Sequence, residues 1–453
     1  MGVRPKPLLQ QVDGRHAGQQ PTLKLLPKLG VARIAQLGRE ANDRGVADVG
    51  ATADVGDGQK GHVVGRFEQQ TRNALLARAE LVEGDTQPLR KGVVGGQTGL
   101  LQQLVHGLCI HATPVAASLT GRVSSGKMAR GVAPHRPLDP VSLEIVWHRL
   151  IAVVDEAATS LVRTSFSPIV RESNDFSCVL YDARGNDIVE NTIGIPSFNM
   201  TLGRTLRHVL RRRPPDRWRR GDVVFTNDPW IGAGHLPDIT IVAPIYVDDR
   251  LLAWVGSIAH HVDVGGTGWS ADASEVFEEG VRIPPLLLMR HGELNEDVLE
   301  LISANVRQPD RLLGDLLAQV SAGEVAGQRL HELVRDAELT DLETVSDQIC
   351  LIGEESMRRA VAAAPDGVYR AALDLDGTDD ESIHVEVAVT IEEDAATVDY
   401  SGTSPQVRQG LNCPINYTEA YTCYPLKCVF DPLTPRNEGS YRNLLRRIGL
   451  DRA

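Results

Sequence analysis

No apolar run in the 453 residues approaches the roughly 18 needed to cross a bilayer. The opening "MGVRPKPLLQQVDGRHAGQQ" also lacks the continuous apolar core of a secretory signal. Neither a membrane-spanning nor an exported protein is expected, and the reading is cytoplasmic. Cysteine is sparse: Cys109, Cys178, Cys350, Cys413, Cys423 and Cys428 form no Cys-x-x-Cys pair. Reduced thiols are therefore expected rather than a disulfide framework. No repeat of 20–50 residues is present, which argues against a solenoid. Basic residues are outnumbered after residue 138, where 29 Lys and Arg face 50 Asp and Glu, a balance of −21. A surface of that sign repels nucleic acid and anionic membranes, so neither is an expected partner.

Aromatic residues are nearly missing from the first third of the chain. Phe67 is the only one before Trp147, while 19 of the 20 lie beyond. Residues 1–138 carry 18 Lys and Arg against 10 Asp and Glu and are crowded with Gly, Gln, Arg and Ala. Without large apolar side chains such a segment cannot bury enough surface to offset its ordering entropy. It reads as a poorly ordered extension, with a start assigned too far upstream as the expected explanation. It contains "GRVSSGKM", Gly121 to Met128, a near match to the phosphate-cradling loop G-x-x-x-x-G-K-[ST]. Met128 replaces the hydroxyl that would bind Mg²⁺ and no clear strand precedes Gly121, so the match is read as chance.

Organisation begins at residue 139, and residues 139–453 read as one catalytic domain. In "LDPVSLEIVWHRLIAVVDEAATSLVRTSF", Asp139 can cap a helix, Pro140 suits its first turn, and Leu143, Val146, Leu150, Val153, Val154, Ala157 and Leu161 recur at helical spacing. "DFSCVLYDARGNDIVEN" predicts a hairpin turning at Ala183 to Asn186, and Val223 to Thr226 a short strand. Two helices are expected between Leu294 and Leu339, separated near Pro309, and a third from Asp341 to Ala363, before strands return. The succession predicts a mixed α+β fold: antiparallel hairpins and sheet packed with helices.

The richest stretch is "AGHLPDITIVAPIYVDDRLLAWVGSIAHHVDVGGTG", Ala233 to Gly268. Ile239 to Val247 and Leu251 to Ala259 read as the arms of a hairpin. With Asp248, Asp249 and Arg250 as a three-residue loop, Asp238 falls opposite His260, close enough for one ion to hold both side chains. His235, three residues before Asp238, could fold back to the same point. A two-residue loop would instead set Asp238 opposite Ala259. Two imidazoles and a carboxylate suit Zn, Mn, Fe or Co with positions left open, at a strand-loop edge. The bland alternative is a hairpin with polar tips.

"LVRTSFSPIVRESNDFSCVLYDARGN", "GDVVFTNDPWIGAGHLPDITIVAPIY", "AHHVDVGG", "NVRQPDRLLGDLLAQVSAG", "PDGVYRAALDLDG" and "DYSGTSPQV" occur in consistent order. Together they resemble the hydantoinase B family over about Asp139 to Asn443. That family comprises B-type subunits of ATP-dependent N-methylhydantoinases and 5-oxoprolinases and is related to a large subunit of acetone carboxylase. The resemblance implies a divalent metal (Mn, Zn or Fe) on His235, Asp238 and His260, with Asp228 of "NDPW" as a further ligand or orienting partner. It implies a separate hydantoinase A-type subunit that uses ATP, and a small cyclic amide as substrate. His261 and Asp263, nearest in sequence, are the expected acid-base groups. The ring-opening reading stands beside two alternatives, a carboxylase subunit of the acetone carboxylase type and a non-catalytic truncated remnant. Where the family commonly reads "PVHLGSM", this chain has "IPSFNM", Ile195 to Met200, which leaves the substrate open. The family pattern also fades after Asn443, so an incomplete C-terminus is expected.

Overall fold

The computed structural model describes residues 136–268, 271–377, 382–444 and 448–449. The expectations for residues 1–135, including the stretch Gly121 to Met128, lie outside the described residues. Helix α1 (Pro140–Thr164) starts where expected, because the Asp139 carboxylate accepts from the Val141 and Ser142 N–H groups at 3.1 Å each. Every apolar position that the helical spacing picks out is buried, and Trp147 and Ala158 join them. Short helix α2 (Pro168–Ser173) then leads into β1 (Phe176–Asp182) and β2 (Asp187–Glu190), the expected hairpin.

Helix α3 (Pro196–Arg212) is followed by β3 (Val223–Thr226), β4 (Asp238–Val247), β5 (Arg250–His260), the one-turn helix α4 (Val276–Glu279), β6 (Leu286–Arg290) and β7 (Glu293–Leu294). These strands form a seven-stranded antiparallel sheet in the order β2-β1-β5-β4-β3-β6-β7. Helices α5 (Glu296–Ser303), α6 (Pro309–Asp336) and α7 (Glu343–Ala362) match the three expected. A second sheet, β11-β10-β9-β8, gathers β8 (Gly367–Asp376), β9 (Ser382–Glu392), β10 (Ala395–Asp399) and β11 (Ile448–Gly449), with α8 (Ile415–Phe430) between β10 and β11 in the chain. Among the described residues, no helix is long and apolar enough to cross a membrane.

Strand β1 is buried along its whole length because both sheet faces are covered. Leu150, Val154, Leu161, Ala322 and Leu330 of α1 and α6 pack with Phe176, Cys178, Leu180 and Val255 on one face. Phe198, Leu202 and Leu206 of α3 pack with Val179, Tyr181, Trp254 and Ile258 on the other. The smaller sheet has its own core, where Met357 and Val361 of α7 and Cys423 and Leu426 of α8 meet Val385, Val387 and Val389.

The β4–β5 hairpin holds a correction. Asp238 does pair with His260, but Val247 pairs with Arg250, so the loop has two residues rather than three. Asp248 and Asp249 take φ of 45° and 61°, the left-handed pair that a tight I′-type turn needs. The register is restored farther along. Tyr246 faces Leu251 and Ile245 faces Ala253, leaving Leu252 as the extra residue of a β-bulge. Leu252 and Ala253 then both join the core on the α1/α6 face. A bulge that keeps a leucine buried thus cancels the one-residue shift of the shorter turn.

Candidate metal centre

His235, Asp238 and His260 are brought together by three segments. Strand pairing sets Asp238 against His260, and the loop between β3 and β4 returns His235 to the same place. That loop is tied from several sides. Asn227 donates to the Leu236 and Val281 carbonyls at 2.8 and 2.9 Å and accepts from Ile283 N–H at 2.6 Å. Thr205 of α3 donates to the Ile231 carbonyl at 2.7 Å, and Asn416 of α8 donates to those of Pro229 and Gly232. Gly234 lies so tightly under Tyr417 that a Cβ would stand 2.8 Å from the ring. Position 234 therefore has no room for a side chain unless Tyr417 moves.

The donor atoms of the three residues all lie within 4.8 Å of one another. His260 Nδ1 is 3.1 Å from Asp238 Oδ1, and His235 Nε2 is 2.9 Å from Asp238 Oδ2. The second pair is a close ion pair on the carboxylate's other oxygen, so each Asp238 oxygen has an imidazole against it. Three nitrogen and oxygen donor atoms grouped this closely suit a common ion. Burial raises the Asp238 carboxyl, but the two imidazoles outweigh it and hold the group at about 2. The carboxylate is thus ionised and ready to bind a cation.

Asp175, just before β1, escaped the sequence reading. Its carbonyl accepts from His260 N–H at 3.0 Å and its carboxylate stands 3.8 Å from His260 Nδ1. Burial and then the Asp238 charge push its carboxyl above the ordinary range. Its place follows from the β1–β5 pairing, in which Phe176 faces Ala259 and Asp175 falls next to His260. That pairing is nonlocal, so no local motif announces it. Glu279 of α4 was missed too: its carboxylate accepts from Leu236 N–H and faces the His235 charge, with burial raising it.

Three expected residues stand elsewhere. Asp228 is outside the ligand group; its carboxylate pairs with Arg282 at 2.7 Å and accepts from Trp230 N–H at 3.1 Å, bracing the loop. His261 turns to the opposite sheet face, where Nε2 meets Gln319 Oε1 of α6 at 3.1 Å. Successive strand residues point to opposite faces, so a neighbour in sequence is a stranger to the site. Burial pushes its imidazole below the usual histidine range. Asp263 accepts from the Gly265, Arg307 and Gln308 N–H groups and so pins the loop after β5 to the start of α6. Burial raises its carboxyl, yet these donors hold it below the ordinary range, a poor state for an acid. His261→Ala should retain full metal content by elemental analysis and lose about 1–3 kcal/mol of stability, because Gln319 is left with an unpaired buried acceptor. Loss of metal at unchanged stability would return His261 to the site.

A family model described as Hydantoinase B/oxoprolinase matches residues 139–448. The chain is 31% identical over 294 residues to the putative B component of a D-/L-hydantoinase from Pseudomonas sp. (strain NS671), covering 62% of this chain and 50% of that protein. It resembles the crystal structure of an ATP-dependent caprolactamase from Pseudomonas jessenii with a TM-score of 0.63 and 27% identity, over 69% of this chain and 54% of that one. A nucleotide-free acetone carboxylase shares the fold with a TM-score of 0.61 at 21% identity, over 68% and 43% of the two chains. The chain thus spans about half the length of the hydantoinase component it matches.

Proposed function

The chain belongs to the hydantoinase B/oxoprolinase family, and from that membership we propose that it supplies the metal-holding, ring-opening half of an ATP-dependent cyclic-amide hydrolase. The observation that carries the reading is the convergence of His235, Asp238 and His260 within 4.8 Å at the open end of the β4–β5 hairpin, away from its turn. Two imidazoles and an ionised carboxylate fit a divalent ion such as Mn, Zn or Fe, and Asp175 lies within reach of the same set. Such an ion, when bound, would polarise the scissile carbonyl and lower the pKa of an attacking water.

The protein's own groups divide the remaining work. Asp238 holds both imidazoles in place through its two oxygens. Asn227, Thr205 and Asn416 keep the His235 loop in the geometry that ring opening requires. Asp175 and Glu279 are the carboxyls beside the ligand set, so the leaving ring nitrogen would receive its proton from one of them rather than from His261 or Asp263.

ATP is assigned to a separate A-type partner, in line with relatives named as one component of a larger enzyme, the B component of a hydantoinase and the beta component of a caprolactamase. The test is to assay phosphate release and ring opening with this chain alone, the A-type partner alone and both together. ATP-dependent turnover only by the mixture is expected. Turnover by this chain alone would overturn the division of labour, and none by the mixture would favour the non-catalytic reading.

A further inference from the structure

Around the metal centre the charges are one-sided. Asp238, Asp175 and Glu279 set three carboxyls around the imidazoles of His235 and His260. Among the described residues, the charges acting on Asp175 are those of Asp238, His260 and His235, and the charge acting on Glu279 is that of His235. The arginines of the bordering segments are committed to other acids. Arg282 pairs with Asp228 at 2.7 Å, Arg307 with Asp263 at 3.4 Å and Arg204 with Glu419, while Arg408 faces Glu278. Lys427, the one lysine after residue 138, pairs with Asp431 at 2.6 Å.

Neutral groups stand at the centre instead. The Tyr417 ring lies against Gly234, next to His235, and the Asp238 charge reaches its phenol. Its hydroxyl is 3.4 Å from that of Tyr421, and the two rings meet edge to face with centroids 4.8 Å apart. Ser197, from the stretch "IPSFNM", places its hydroxyl beside the Tyr417 phenol. Hydroxyls of this kind donate to a carbonyl or accept from a ring N–H, but they do not neutralise an anion.

Resting on the ring-opening reading, we propose that the substrate is an uncharged ring, a hydantoin or a simple lactam without a carboxylate, and that an anionic ring such as 5-oxoproline is turned away. A carboxylate carried to this site would lose its water without gaining a fixed cation, beside the ionised Asp238. A proton on Asp175 or Glu279 removes a negative charge there but supplies no cation, so the preference holds in either state. The positive charge such a site takes in is that of the ion, and the reacting carbonyl claims it.

The experiment loads the full chain with Mn²⁺ and reads binding near neutral pH from the paramagnetic relaxation of ring protons. 2-Pyrrolidinone, 5-oxoproline and 5-oxoprolinamide share one lactam ring; the second adds a carboxylate, the third a neutral amide of the same size. The amide should bind much as 2-pyrrolidinone does, and 5-oxoproline about 10-fold or more weaker than either. Glu279→Gln, which removes one carboxylate, should bring 5-oxoproline several-fold closer to its amide. Equal binding of 5-oxoproline and its amide would overturn the proposal. So would an amide as weak as the acid, because size rather than charge would then exclude both. A chain that holds Mn²⁺ but relaxes no ring would overturn ring opening at this centre, and the choice of ring with it.

Discussion

Asp238→Ala is expected to lower divalent-metal affinity by more than about 100-fold, beyond the loss typical of removing a group that only orients a ligand. Asp238 is 2% exposed and has an imidazole against each of its oxygens. The substitution removes the one negative charge that sits between both histidines and leaves two neutral or mutually repelling rings. His260→Ala should give a similar loss, because its backbone stays in the β5 ladder while its nitrogen disappears. Metal per chain after dialysis, read by elemental analysis, is the measurement, with circular dichroism to confirm folding. Asp238→Asn keeps the shape while removing the charge, and it separates ligand loss from misfolding. Stoichiometric metal in folded Asp238→Ala would end the assignment of the centre.

Deleting Leu252 should cost about 2–5 kcal/mol and leave metal binding intact. The cost is that of losing a leucine that is 1% exposed in the main core. Metal binding survives because Leu252 is the extra residue of the bulge. Without it Tyr246 still faces Leu251, Ile245 still faces Ala253, and Asp238 still faces His260. A hairpin closed by three residues at Asp248 to Arg250 would behave in the opposite way: the deletion would slide every later residue of β5 by one and move His260 to the wrong face. Chemical denaturation with metal analysis of the same sample separates the two outcomes. Loss of metal from a folded deletion protein would refute the bulge.

The missed elements have physical reasons. Helix α3 hides because Ser197, Asn199, Thr201 and Thr205 are buried on it, which dilutes the apolar stripe that marks a helix. Thr205 is there to hold the Ile231 carbonyl, a partner no periodicity reveals. Helix α8 carries Pro425 in its interior and follows the Gly/Pro/Asn-rich "QGLNCPIN", so its local signals argue for a turn. Its packing overrides them, with Ala420, Cys423 and Leu426 buried.

By itself the sequence determined what depends on neighbours along the chain. Asp139 caps α1, alternating and helical apolar patterns mark most strands and helices, and His235, Asp238 and His260 stand out by residue type and spacing. Only the tertiary structure decided which of the nearby polar residues share a site. His261 is adjacent to His260 yet faces Gln319 on the opposite side of the sheet, since the pleat reverses direction at each residue. Asp175 is remote in sequence yet stands 3.8 Å from His260 Nδ1, since β1 pairs with β5. Asp228 and Asp263 satisfy backbone and arginine donors instead of an ion, a choice made by where Arg282 and the start of α6 come to rest. Even the pairing of Asp238 with His260 rests on a bulge at Leu252, which forms because burying that side chain in a core shared with α1 and α6 outweighs the broken ladder.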